Sequence, residues 1–205
     1  MFDLNKKDIT LFEKYGYIKL SLFKNNNKFH ELIKSFKKDF SELVNNKNIS
    51  AFGGYRAGNL NINPGKYGPM FLDFFNNENF AKYFEYLVGN NISNYKIFYG
   101  GNLNLPNSKN QLFHTDGNWD PRMIVLNIAM TKIDLNNGPL EVINFSHKQF
   151  LPYWFFIIKN LFKKNRRKIE LEVGEILIRE HRLWHRGTSN KSKFNREMLG
   201  IMFLK

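Results

Sequence analysis

The stretch Gln111-Leu112-Phe113-His114-Thr115-Asp116 sets an imidazole and a carboxylate two residues apart. On an extended strand alternate side chains share a face, so His114 and Asp116 can aim a nitrogen and an oxygen at one point. A metal held this way needs a third ligand from elsewhere, and the stretch is read together with His185 near the C-terminus and Arg196 beyond it. Two imidazoles and one carboxylate on one face of an octahedral ion leave three positions open. That arrangement suits non-heme Fe(II) chemistry, in which a cosubstrate and O2 must bind at once. A lone His-x-Asp also arises by chance, as a strand-end histidine beside a solvated aspartate, so its context has to decide.

Composition narrows the choices. The chain of 205 residues has no Cys, which excludes a disulfide framework, a thiolate metal site and a cysteine nucleophile. Any metal must then be held by carboxylates and the five histidines His30, His114, His147, His181 and His185. The length fits one domain, residues 1–205, with a mainly helical outer part over 1–95 and a jelly-roll part over 96–205 that carries the site. The N-terminus shows no apolar leader and no run approaches the ~20 residues that span a bilayer, so a soluble, cytoplasmic protein is expected. The net charge of +13 raises the question of nucleic acid. Most lysines are scattered singly in a chain rich in Asn, Phe and Ile, a mix that AT-rich codons produce, and no nucleic-acid partner is expected.

The elements that must position the site read in two halves. Residues 5–15 predict a short helix ending at Gly16, followed by a strand over 17–20. Phe29, Leu32, Ile33, Phe36, Phe40, Leu43 and Val44 recur at helical spacing opposite Lys34, Lys37, Lys38 and Glu42, an amphipathic helix with His30 at its surface. Glycines and Pro64 punctuate residues 48–68 as a loop or hairpin, in which Tyr55, Arg56, Asn59 and Asn61 are candidates to face a polar substrate. Phe80, Tyr83, Phe84 and Leu87 mark a third helix stopped by Gly89. Strands follow at 95–99, 102–105, around His114, 123–130 (covered on both faces), 140–143, 169–173, 175–178 and 198–203. Helices first and short strands later predict an α+β fold, a double-stranded β-helix (jelly-roll, cupin-like) core with flanking N-terminal helices.

From about Asn102 onward the chain resembles the phytanoyl-CoA dioxygenase family of Fe(II)/2-oxoglutarate oxygenases, and Gly16-Tyr17-Ile18 is similar to the family's usual opening. Three motifs carry the likeness. They are Gln111-x-x-His114-x-Asp116; Asn137-Gly138-Pro139-Leu140 leading to Ser146-His147-Lys148; and Gly174-Glu175 leading to Trp184-His185-Arg186-Gly187, with Arg196 beyond. The resemblance implies His114, Asp116 and His185 as Fe(II) ligands and Arg196 as the residue gripping the distal carboxylate of 2-oxoglutarate. A planar, always-charged guanidinium suits that task. His181 is the competing distal ligand, and the spacing from Gly174 and to Arg196 favours His185. Gly187 stands where the family often has a hydroxyl that helps bind the cosubstrate, with Thr188 or Ser189 as substitutes. Gln111, Asn102 and Asn104 are expected at the same pocket, as contacts or as structure, and His147 is read as structural. Halogenating relatives leave the carboxylate position small, so Asp116 implies a hydroxylase of a small or carrier-linked substrate, using O2 and releasing succinate and CO2. Arg122, Arg182 and Arg186 near the motifs make an anionic substrate plausible. The rivals are a non-catalytic metal- or ligand-binding protein on the same fold and a basic nucleic-acid binder.

Residues 150–158 form the most apolar run and 159–168 the most basic, with the cluster Lys163-Lys164-Asn165-Arg166-Arg167-Lys168. The segment 150–168 is expected to be a lid or core helix that packs its aromatics on the β-core and leaves its cations in solvent. An interfacial helix on an anionic membrane is the alternative.

Overall fold

The computed structural model describes residues 6–45, 57–117, 122–150, 152–160 and 165–205, without the side chains at 6, 43–45, 157, 159 and 160. Tyr55, Arg56, Lys163, Lys164 and the side chains of Leu43 and Val44 lie outside the described residues. Two antiparallel sheets pack face to face as a double-stranded β-helix. The larger runs in the order β1 (Tyr17–Leu20), β7 (Ile176–Glu180), β4 (Met123–Ala129), β9 (Arg196–Leu204), β3 (Lys96–Asn104) and β2 (Asn59–Ile62). The smaller runs β6 (Arg166–Ile169), β5 (Leu140–Ile143) and β8 (His185–Gly187). Helices α1 (Lys6–Tyr15), α2 (Asn27–Asn45), α3 (Tyr67–Leu72) and α4 (Glu78–Val88) cover the outer face of the larger sheet.

The period-two alternation of the central strands sorts their side chains between two cores. Ile124, Leu126 and Ile128 of β4, Ile176 and Ile178 of β7, and Leu199, Ile201 and Phe203 of β9 join Phe29, Phe36, Phe40, Phe71, Phe80 and Phe84 beneath the helices. Ala129, Leu177 and Met198 of the same strands point the other way and meet Val142 and Ile169 of the smaller sheet. Both faces are therefore buried, which is why 123–130 lacks a clean polar alternation. On the inner face the same alternation delivers Asn127, Arg179 and Arg196 between the sheets.

Local signals set the helix ends. Asn77 Oδ1 accepts a hydrogen bond of 2.9 Å from Phe80 N at the start of α4, and Gly89 closes it at φ +70°. Two expectations change. The strand pieces read at 95–99 and 102–105 are one nine-residue strand, β3, in which Gly101 passes under the Phe40 ring. The loop reading of 48–68 concealed β2 and the start of α3, because Gly68-Pro69 looks like a breaker. Gly68 is required by closeness: a Cβ there would lie 2.4 Å from Tyr99 Cγ. Pro69 sits in the first turn of α3, where a missing N–H leaves no helix bond unmade.

Helix α5 (Tyr153–Asn160) departs furthest from its expected packing. Phe156 alone among its described aromatics is fully buried, stacked on Trp184 at 3.6 Å between centroids. Phe150, Trp154, Phe155 and Ile158 are 67, 76, 58 and 66 % exposed. Among the described residues no helix is long and apolar enough to cross a membrane.

Candidate metal centre

The segment carrying His114 and Asp116 is not a strand of a ladder. It lies along β8 through a single bridge, in which His114 N donates to His185 O and His185 N donates to His114 O, both at 2.9 Å. Gln111 N donates to Gly187 O at 2.9 Å, Gly187 N donates to Gln111 Oε1 at 2.7 Å, and Asp116 N donates to His181 O at 3.0 Å. The extended backbone still sends His114 and Asp116 to one side, and the bridge sets the His185 ring beside them, 4.5 Å from the His114 ring. Ligand atoms of His114, Asp116 and His185 all fall within 4.8 Å of one another. Buried His181 stays outside this group, with Nδ1 2.9 Å from Met123 N and Met123 O.

The protonation pattern is that of a donor set. His114 Nδ1 donates to Leu112 O at 2.9 Å and His185 Nδ1 donates to Leu183 O at 2.8 Å. A carbonyl can only accept, so Nδ1 carries the proton on each ring and Nε2 keeps its lone pair. Burial, reinforced by the nearby Arg179 charge, pushes His185 down to about 3 against the pull of Asp116, so the imidazole is neutral. Burial works to raise the Asp116 carboxyl, but Arg179 and the two imidazoles outweigh it and hold the group well below the usual carboxylate range. Two imidazole nitrogens and one carboxylate fit a hard-to-borderline divalent ion such as Fe(II).

The group opens on a cavity of about 120 Å³ lined also by Asn59, Asn61, Asn102, Asn104, Gln111 and Arg196. Arg196 is 4 % exposed and its guanidinium makes no hydrogen bond or ion pair with the described residues; its Nε is fully buried without a partner. Burial lowers it to about 10, which leaves it charged at neutral pH. Asn102 Nδ2 donates to Asn61 Oδ1 at 2.6 Å across the β2–β3 pair. Thr188 faces elsewhere: its hydroxyl donates to Pro139 O at 2.7 Å, and it does not line the cavity. The space beside Gly187 is taken by Gln111, since a Cβ on residue 187 would stand 2.8 Å from Gln111 Oε1. Arg122 and Arg182 pair with Glu180, and Arg186 pairs with Glu141 at 2.6 Å and lies over the Phe113 ring. These three are committed to the protein, which removes the ground for expecting an anionic substrate. His147 is buried with Nε2 donating to Glu13 O at 3.1 Å, and the neighbouring Ser146 Oγ accepts from Trp184 N at 2.9 Å.

Arg179 is the site residue that sequence reasoning passed over. It is 5 % exposed, its Nη2 lies 2.5 Å from Asp116 Oδ2, and its Nε donates to Asn127 Oδ1 at 3.0 Å. The available signal was a cation at an inward position of the otherwise apolar Ile176-Leu177-Ile178-Arg179. In metal-free protein Arg179 is the counter-charge of Asp116, and a bound divalent ion takes over part of that task. Arg179→Met should therefore lower the melting temperature of metal-free protein, by about 1–3 kcal/mol in stability. It should also enlarge the shift produced by Fe(II). Equal melting of metal-free Arg179→Met and wild type would show that the pair contributes nothing.

The comparisons fall in line with this geometry. A profile of the phytanoyl-CoA dioxygenase (PhyH) family matches residues 12–198. Comparison with curated proteins gives no significant match. Among solved structures, the non-heme alpha ketoglutarate dependent carbocyclase SnoK from nogalamycin biosynthesis superposes with a TM-score of 0.79 at 13 % identity, covering 99 % of this chain and 85 % of that one. The epimerase SnoN in complex with Fe3+, alpha ketoglutarate and nogalamycin RO gives 0.77 at 13 %, covering 98 and 83 %. EctD from S. alaskensis with bound Fe gives 0.75 at 15 %, covering 100 and 78 %. Iron and 2-oxoglutarate fit both this family and the donors present. With nearly the whole chain matched, the protein belongs to the phytanoyl-CoA dioxygenase family.

Proposed function

We propose that the protein is an Fe(II)- and 2-oxoglutarate-dependent hydroxylase of a small or carrier-linked organic substrate, forming succinate and CO2 from the cosubstrate. One conjunction carries the reading: a converging His-Asp-His donor set shares its cavity with a buried guanidinium that has no partner among the described residues. An uncompensated buried cation is costly, and its presence is accounted for by an anionic ligand that completes the site. Iron with 2-oxoglutarate and O2 supplies an oxidising power that no side chain has.

In this reading the chain positions and protects. His114 Nε2, His185 Nε2 and the Asp116 carboxylate hold the ion, and Arg179 fixes which way Asp116 turns. Arg196 takes the far carboxylate of the cosubstrate bidentately. Gln111 spends its carbonyl on Gly187 N, leaving its amide NH2 to the cavity; Asn102 spends its NH2 on Asn61, leaving a carbonyl. Leu60, Leu140 and Met198 supply apolar wall that limits stray water. The carboxylate at Asp116 supports hydroxylation over halogenation. The relatives described as a carbocyclase and an epimerase mark other outcomes on this scaffold, which product analysis separates. Under anaerobic conditions, Fe(II) followed by 2-oxoglutarate should produce a weak visible charge-transfer band, and air should then release succinate in a screen of candidate substrates. Absence of both the band and any cosubstrate-dependent thermal shift would defeat the proposal.

A further inference from the structure

Helix α5 leaves uncovered an apolar surface that the metal centre does not use. Trp154, Phe155 and Ile158 project from the one helix, and a soluble protein seldom exposes such a group of large apolar side chains to water alone. The underside of the helix is firmly seated, with Phe156 against Trp184 and within 6.3 Å of the Phe113 ring. The Arg166 guanidinium lies 5.2 Å over the same Phe113, which places the start of β6 beside the helix. Arg166, Arg167 and Lys168 are all exposed, and Arg166 and Lys168 share the face of β6 beside the aromatic group while Arg167 shares that of Ile169.

We propose that α5 and β6 together form a seat for an anionic lipid bilayer, the rings of Trp154 and Phe155 entering the headgroup region while Arg166 and Lys168, on the face of β6 shared with Ile143, turn to lipid phosphates. Indole and phenyl groups favour that depth, and cations beside them add attraction to anionic lipid. Charge selects this occupant over a second copy of the chain, because a two-fold contact through this face would bring two β6 strands together on a protein of net charge +13. Ile158 and Phe150 suit hydrocarbon better than stacked bases. Since Phe113 and Trp184 immediately precede His114 and His185, docking holds the candidate metal centre at the membrane surface.

The test is vesicle flotation of the purified full chain, without iron, so its outcome is independent of the hydroxylase reading. Vesicles of phosphatidylcholine mixed with phosphatidylglycerol should carry the protein, and phosphatidylcholine alone should carry much less. Arg166→Glu/Lys168→Glu should lower partitioning roughly tenfold or more. Trp154→Ser/Phe155→Ser, at exposed positions, should lower it comparably. Trp154→Phe should keep binding while abolishing the vesicle-induced blue shift of tryptophan emission. The proposal is overturned if the wild type does not float with the anionic vesicles, or if the Trp154→Ser/Phe155→Ser protein floats as well as wild type. It is equally overturned if light scattering finds a dimer that this variant dissolves, or if a single-stranded oligonucleotide binds through the same residues in preference to vesicles.

Discussion

Arg196→Met is expected to leave Fe(II) bound and to weaken 2-oxoglutarate by at least about a hundredfold, since a desolvated carboxylate would lose its bidentate, charge-assisted partner. The same change should make metal-free protein more stable. Wild-type Arg196 is 4 % exposed, a charge folded away from water with no partner among the described residues. Methionine fills similar space without that cost, and a gain of about 1–3 kcal/mol follows. Opposite signs in stability and cosubstrate affinity distinguish a ligand-gripping residue from a structural one. Thermal melts of metal-free protein read the first, and melts of metal-loaded protein with and without 2-oxoglutarate read the second. An identical cosubstrate-dependent shift in Arg196→Met and wild type would take Arg196 out of the site.

The second large effect separates the candidate ligands Asp116 and His185 from one another and from His181. Asp116→Ala and His185→Ala should each lower Fe(II) affinity by more than about a hundredfold, exceeding what the loss of an outer hydrogen-bond partner costs. Their effects on metal-free protein should differ. Asp116→Ala strips Arg179 of its counter-charge, so it should destabilise toward the lower end of about 3–5 kcal/mol, the Asp116 side chain being 28 % exposed. His185→Ala removes a neutral ring and leaves no charge stranded. His181→Ala should lower the melting temperature, because His181 packs against the Met123 backbone, yet keep the metal. Fe(II) titration of the set decides the assignment: metal lost from His181→Ala and kept by His185→Ala reverses the distal ligand.

What could be read from the chain and what could not follow from the range of the forces involved. Helix α4 was legible because its signals are local: Asn77 caps it, Phe80, Tyr83, Phe84 and Leu87 share a face, and Gly89 ends it. The neighbourhood of His114, Asp116 and His185 was suggested by motif order, although the structure joins them by a bridge where a strand was expected. Arg179 was missed because its partner Asp116 is 63 residues earlier and is brought to it by the bond of Asp116 N to His181 O, just beyond β7. Thr188 and the arginines at 122, 182 and 186 erred for a related reason. Closeness in sequence said nothing about whether a side chain faces the cavity or bonds to Pro139, Glu180 or Glu141. For α5, an apolar run was assumed to be buried, whereas composition cannot say which side of a helix the core occupies.

The bridge between residues 114 and 185 also bears on dynamics. Between β3 and β4 the stretch 111–117 runs along the open side of the smaller sheet with no ladder of its own. It is fastened there by the paired bonds of His114 and His185, the Gln111–Gly187 exchange and the Asp116–His181 bond. Such a strap opens at lower free energy than the nine-residue pairing of β3 with β9, because fewer bonds break together. An ion held by His114 and Asp116 on the strap and by His185 on β8 acts as a clasp, and it stabilises the closed form by mass action. With the ion held there as proposed, metal occupancy and local unfolding of this crossing segment are one equilibrium, and a chelator is expected to act on the strap as a local denaturant while the helix-backed sheet stays folded.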